Sequence, residues 1–134
     1  MEYFIHLQKD KRLKKALLSP LAPLKLRPRA DIRLMQSIMS QQLNTRVAQT
    51  FHTRFFTLCQ SSRPDIRRIS EMDPALLQGI GLSRAKTAYI QNVARFFTEQ
   101  KITDRKLRAM PSEEIIGLLT RIKGVGRWTV EMLL

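Results

Sequence analysis

The sequence predicts an all-helical domain with short connections, and three observations carry that prediction. Apolar residues recur at helical spacing in one segment after another, whereas the alternation of a half-buried strand is nearly absent. The connections are short and built from Ser, Asp, Asn, Gly and Pro, the residues that start and stop helices. Towards the end, an apolar-periodic segment runs into Gly124-Val125-Gly126 and another begins at once beyond it, which reads as helix, tight turn, helix.

The 134 residues make one domain, large enough to bury a real core. Lys and Arg number 24 against 11 acids, a net charge of +13 that speaks of partners rather than fold. It favours nucleic acid, or less often an anionic membrane surface. A hydrophobic fraction of 43% belongs to a packed domain and not to a basic tail, so the charge lies on a face. The single cysteine, Cys59, forms no internal disulfide and rules out a four-cysteine zinc or iron–sulfur site. No apolar run has the length of a membrane span, and Glu2, His6 and Asp10 break any signal-peptide core. The expected setting is a reducing cytoplasm, with no membrane.

Taken in order, Tyr3–Leu18 has helical period with a basic outer face, and Ser19-Pro20 and Pro23 end it. Lys25 to Arg29 is an extended linker, after which Asp31 is placed to cap a helix with Ile32, Leu34, Met35, Ile38 and Met39 on its inner side. Ser40 to Asn44 permits one long helix or a turn. With a turn at Gln41–Leu43, Asn44 would cap the next helix; on either reading Leu43 is placed in the core and Val47, Ala48, Phe51, Phe55, Phe56 and Leu58 form the next inner face.

Short helices are expected at Asp65–Ser70 and from Asp73-Pro74, with Pro in its favoured first position. Gln78 to Ser83 forms a second hairpin-like turn, and Ser83 caps a helix carrying Tyr89, Ile90, Val93, Phe96 and Phe97. Lys101–Arg108 reads as linker, and Ser112 as the cap of a helix from Ser112 to Arg121. The hairpin motif spans 112–134. The last helix ends on Met132-Leu133-Leu134 without a stop signal, so the chain is expected to be cut inside an element, leaving Val130, Leu133 and Leu134 without partners.

Gly124 and Gly126 allow positive φ on both sides of Val125, and they leave the N–H groups of the second helix open to an anion, flanked by Lys123 and Arg127. A DNA phosphate fits such a site. The alternative is an ordinary C-cap at Gly124 with Gly126 merely opening the next helix. The longer string Ile122-Lys123-Gly124-Val125-Gly126-Arg127-Trp128-Thr129-Val130-Glu131-Met132-Leu133 resembles the helix-hairpin-helix of the base-excision DNA glycosylases, and more narrowly the 3-methyladenine DNA glycosylase II branch. The resemblance covers nearly the whole chain: Ile38-Met39-Ser40-Gln41-Gln42-Leu43 and Gly79 to Lys86 stand in the family's order.

The resemblance implies a helix-hairpin-helix glycosylase domain, partial over 1–134. Its partner is duplex DNA with alkylated bases or abasic sites, and the activity is removal of 3-methyladenine or 7-methylguanine after base flipping. Gln41 and Gln42 would wedge into the duplex, where a planar amide can stack and still bond the orphaned base; the alternative is a pair of helix-end amides bonding local backbone. The backbone of Gly124, Val125 and Gly126, together with Lys123, Arg127 and Thr129, would hold DNA. The Thr120, Ile122 and Val125 carbonyls would bind a monovalent cation, with no other cofactor and no iron–sulfur cluster.

Trp128 is the only tryptophan and occupies the place where strand-cutting relatives carry their nucleophilic lysine, so no Schiff-base chemistry is implied. It would stack on a flipped, positively charged purine, unless it is a core residue beneath the hairpin. Lys86 packs or approaches a phosphate, and His6 and His52 lack metal spacing. Hydrolysis needs a carboxylate beside the developing oxocarbenium ion, and in this family it is an Asp after a Gly/Pro-rich loop. No such loop occurs by Leu134, so no catalytic residue is assigned. The resemblance implies a bacterial, nucleoid-associated protein, monomeric when intact. The competing reading is a DNA-binding helix-hairpin-helix module without chemistry.

Overall fold

The computed structural model describes residues 27–134, so the predicted helix Tyr3–Leu18, His6 and the breaks at Ser19-Pro20 and Pro23 lie outside the described residues. Eight helices follow in the described part, with no strand among those residues: α1 Ala30–Ser40, α2 Thr45–Cys59, α3 Ile66–Glu71, α4 Pro74–Gly79, α5 Arg84–Glu99, α6 Asp104–Arg108, α7 Ser112–Leu119 and α8 Arg127–Glu131. None of them is long and apolar enough to cross a membrane.

Local caps start most of these helices. The Asn44 side chain accepts the Val47 N–H at 2.9 Å, Asp65 accepts Arg67 N–H, Asp73 accepts Ala75 N–H ahead of Pro74, and Ser83 accepts Lys86 N–H at 3.1 Å. Each satisfies a donor that the first helical turn leaves without a partner. Helix α1 differs from expectation. Its N-cap is Arg29 in left-handed conformation (φ 61), and Asp31 lies inside the helix, buried against the Arg29 guanidinium at 3.1 Å. The cap comes from afar: Asp104 Oδ2 accepts Arg29 N–H at 2.7 Å and Oδ1 accepts Ala30 N–H at 3.0 Å.

Three further expectations are corrected. The segment predicted as linker contains α6, because Thr103 caps it and buried Leu107 anchors it. Pro111, not Ser112, is the N-cap of α7, and that helix stops at Leu119 with Thr120 as C-cap. Val47 turns outward, 39% exposed, and Leu43 is only half-buried; of the α2 face, Ala48 and Phe55 are the buried members.

Helix α5 is the centre of the domain and packs against α1, α3 and α4. Its Ile90, Val93, Ala94 and Phe97 join Leu34, Met35, Ile38, Phe55, Ile69, Leu77 and Leu107 in one core. Burying each larger aliphatic side chain contributes about 1.5–3 kcal/mol. Gln91, buried on α5, donates its amide to the Ile69 and Met72 carbonyls at 3.3 and 2.7 Å, which settles the open end of α3. Helix α8 packs on α7 and α1. Val130 and Leu133 are buried and Leu134 half-buried, so these residues have partners, and Met132 is the exposed apolar side chain of this stretch.

Candidate functional site

Between Leu119 and Arg127 the chain reverses through Thr120 to Gly126. Gly124 has φ +102, and a Cβ there would stand 2.2 Å from Tyr89 Cγ, so both conformation and space demand glycine. Gly126 has φ −92 and is the N-cap of α8, with nothing within 4 Å of an added Cβ. Only Gly124, then, takes the positive φ expected of both. What Gly126 offers is an uncovered approach to the start of α8, where no side chain takes the first N–H groups. Lys123 is exposed and Val125 buried beneath the turn.

The turn's carbonyls fall into two kinds. Ile122 O accepts Val125 N–H at 3.1 Å and keeps one lone pair, while Thr120 O and Val125 O accept no hydrogen bond from a described residue. These oxygens therefore keep lone pairs outside the hydrogen bonds of the hairpin. No cluster of His, Cys, Asp or Glu suited to a metal occurs among the described residues.

Arg127 is not free. Its Nε donates to Glu131 Oε1 at 2.8 Å, and its Nη2 donates to Glu113 Oε1 at 2.9 Å across the hairpin. These hydrogen bonds, that of Glu113 first, raise its pKa above the ordinary value. All three side chains are largely exposed, so the pairs tie α7 to α8 without contributing much stability.

The second turn joins α1 to α2. Gln41 donates its N–H to Ile38 O at 3.3 Å, Leu43 donates to Ser40 O at 3.1 Å, and Gln42, exposed, stands in left-handed conformation with φ 64. A residue that carries a Cβ adopts that region at a cost. Lys86 on α5 contacts this turn. Its Nζ donates to Met39 O at 3.1 Å and Gln41 O at 2.8 Å, and burial lowers its pKa.

The turn after α1 and the helix α8 that follows the hairpin turn face each other across one cavity of about 790 Å³. Gln41, Gln42 and Leu43 form one wall and Trp128, Thr129, Met132 and Leu133 the other, with Arg33, Gln36, Ser37, Ser40 and His52 between them. Trp128 is 67% exposed, which rejects the core alternative and leaves its ring face open. Thr129 is 5% exposed and lines the cavity, so its side chain does not stand on the outer face of the hairpin with Lys123.

Two residues of this site were not found from sequence. His52 approaches Ser40 Oγ at 2.9 Å and Gln36 O at 3.2 Å. Since the Ser40 hydroxyl donates to Gln36 O at 2.8 Å, the geometry makes His52 Nε2 the N–H donor. Arg33 lines the cavity with a buried Nε that has no partner among the described residues. Neither residue belongs to a motif, and only the packing of α2 and α8 on α1 brings them to the site.

Among the described residues, no lining residue of the cavity is Asp or Glu. Of the acids elsewhere in the chain, Asp104 is committed to the start of α1, Glu113 and Glu131 to Arg127, and Glu114 is exposed in the first turn of α7.

Comparison with known proteins adds the following. The family model described as HhH-GPD superfamily base excision DNA repair protein matches residues 35–130. DNA-3-methyladenine glycosylase 1 of Schizosaccharomyces pombe is 34% identical over 103 residues, covering 75% of this chain and 45% of that protein. DNA-3-methyladenine glycosylase of Saccharomyces cerevisiae is 35% identical over 111 residues, covering 77% of this chain and 38% of that one. The chain thus spans less than half the length of either relative. Among solved structures, the Schizosaccharomyces pombe 3-methyladenine DNA glycosylase in complex with abasic DNA superposes with a TM-score of 0.76 at 29% identity, over 100% of this chain and 68% of that one. DNA-3-methyladenine glycosidase from Bacillus halodurans gives 0.75 at 26% identity, over 95% of this chain and 59% of that one.

Proposed function

Because the chain belongs to the HhH-GPD superfamily of base excision DNA repair proteins, we propose that it grips duplex DNA through the Gly124–Gly126 hairpin and receives a flipped alkylated purine in the cavity beside it. The observation that supports this most is that Gln41-Gln42 and Trp128, in the helix opened by the hairpin, line the same cavity. A wedge and a base platform must lie side by side, since the space vacated in the stack adjoins the place where the extruded base goes.

Each residue then has a role. The open start of α8 and Lys123 hold a phosphate. The Thr120, Ile122 and Val125 carbonyls hold a monovalent cation that shares it. Gln42 fills the vacated position, and Trp128 stacks on 3-methyladenine or 7-methylguanine, whose positive ring favours an electron-rich face. Arg127 reaches DNA only by giving up Glu113 or Glu131. Hydrolysis of the glycosidic bond calls for a carboxylate beside the sugar.

One observation favours a second reading, a DNA-gripping module without chemistry: among the described residues, the cavity lining contains no carboxylate. A single experiment separates the two. The chain is incubated with alkylated duplex and released bases are measured, while binding to abasic-site and undamaged duplexes is followed across a salt series. Tighter binding to the abasic duplex, falling steeply with salt, is expected on both readings. Base release makes one of the chain's own carboxylates the catalyst, and its absence assigns the chain to gripping alone. Binding that ignores salt overturns both.

A further inference from the structure

We propose that Lys86 is a positioning residue for the Gln41–Gln42 wedge, acting from α5 through two main-chain carbonyls; the inference rests on the DNA-binding reading above. The last carbonyls of a helix have no partner within it, and Met39 O is one of these in α1. Lys86 Nζ takes it at 3.1 Å, and takes Gln41 O, just past the helix, at 2.8 Å. An ammonium at a helix C-terminus also meets the negative end of the dipole.

The Gln41 carbonyl belongs to the same rigid peptide plane as the Gln42 nitrogen. Anchoring its oxygen fixes the plane about which Gln42 adopts φ 64, and thereby the direction in which the exposed Gln42 side chain leaves the turn. Two of the three ammonium donors are spent on this, and both point inward.

Further along, α5 also contacts the hairpin. Tyr89 lies under Gly124, and Asn92 Nδ2 donates to Lys123 O at 3.2 Å. Residues 86, 89 and 92 follow one another at helical spacing. One rigid rod therefore sets the offset between wedge and grip, about 9 Å along its axis for six residues.

The test compares wild type with Lys86→Met, Lys86→Arg, Gln42→Ala and the Lys86→Met/Gln42→Ala double variant. Binding is measured to undamaged and abasic-site duplexes across salt, the latter with 2-aminopurine opposite the abasic position. Lys86→Met is expected to lose the abasic preference and the 2-aminopurine response as Gln42→Ala does, by about tenfold, with undamaged-duplex affinity and salt slope unchanged. The double variant shows no further loss, and Lys86→Arg restores the preference by keeping a charged donor.

A salt slope shallower by about 1, with both affinities falling together, would make Lys86 a phosphate contact and overturn the proposal. So would an unfolded Lys86→Met chain, or one indistinguishable from wild type. If the wild type binds neither duplex, the functional reading fails separately. The hold on the turn is then judged by exchange of the Leu43 amide, expected to be about tenfold faster in Lys86→Met, and overturned by an unchanged rate.

Discussion

The Tyr89 ring lies so closely beneath Gly124 that a methyl group at residue 124 would overlap it, at 2.2 Å from Cγ and 2.4 Å from Cδ1. Gly124→Ala combines this overlap with a backbone at φ +102, and is expected to cost about 3 kcal/mol in urea unfolding. Gly126→Ala, at φ −92 with open space around it, is expected to cost about 1 kcal/mol at most. It should nonetheless weaken DNA binding, because the methyl group intrudes on the approach to α8. Equal losses of stability in the two variants would refute this account of the turn.

Asp104→Ala should destabilise the chain by about 1–2 kcal/mol, since it strips two N–H groups of their acceptor at the start of α1. DNA affinity should stay at the wild-type value. A drop in affinity with unchanged melting temperature would place Asp104 at the DNA instead.

Replacing both Glu113 and Glu131 by Gln releases Arg127 and removes two negative charges from the hairpin. Tighter DNA binding at low salt is expected, with a slope steeper by about 1 and a stability change within about 0.5 kcal/mol. An unaltered titration would show that Arg127 stays out of the DNA interface.

Trp128→Ala should lower stability by no more than about 1 kcal/mol, because two thirds of the residue is exposed already. Intrinsic fluorescence reports one tryptophan only. It should be open to acrylamide in the free chain and protected by an abasic duplex; protection in the free chain would contradict the exposed ring.

Burial pushes the Cys59 thiol above its ordinary 9.0, and Arg68 pulls partly the other way. The folded chain therefore favours the protonated form. That contribution to stability is complete below the unfolded pKa and is lost as pH rises through the folded one. Wild type should lose stability relative to Cys59→Ala above pH 9.0 in paired unfolding curves, and Cys59 should react slowly with thiol reagents at neutral pH.

Much of the fold is legible because caps are local. Asn44, Asp65, Asp73 and Ser83 each close a helix three or fewer residues away, and a short window holds the whole signal. Asp31 and Ser112 carry the same signal without the function, since Asp104 and Pro111 occupy those roles. Nothing within a window distinguishes them. Helix α6 escapes detection because one buried apolar residue, Leu107, gives no periodicity.

At the site, motif residues Gln41, Gln42 and Trp128 are legible by resemblance, whereas the cavity between them arises from α8 packing on α1. The same packing recruits His52 and Arg33, and it leaves Thr129 buried and Trp128 exposed in the same cavity wall. Helical phase gives a residue's face but not the neighbour it will meet.

The cap on α1 comes from a residue 74 and 75 positions later in the chain. During synthesis, which delivers the N-terminal part first, the start of α1 keeps two unanswered donors until Asp104 has been made. Translation thus sets an order of events: the helix bearing the Gln41–Gln42 turn at its far end gains the cap at its near end only after α2 to α5 have been made.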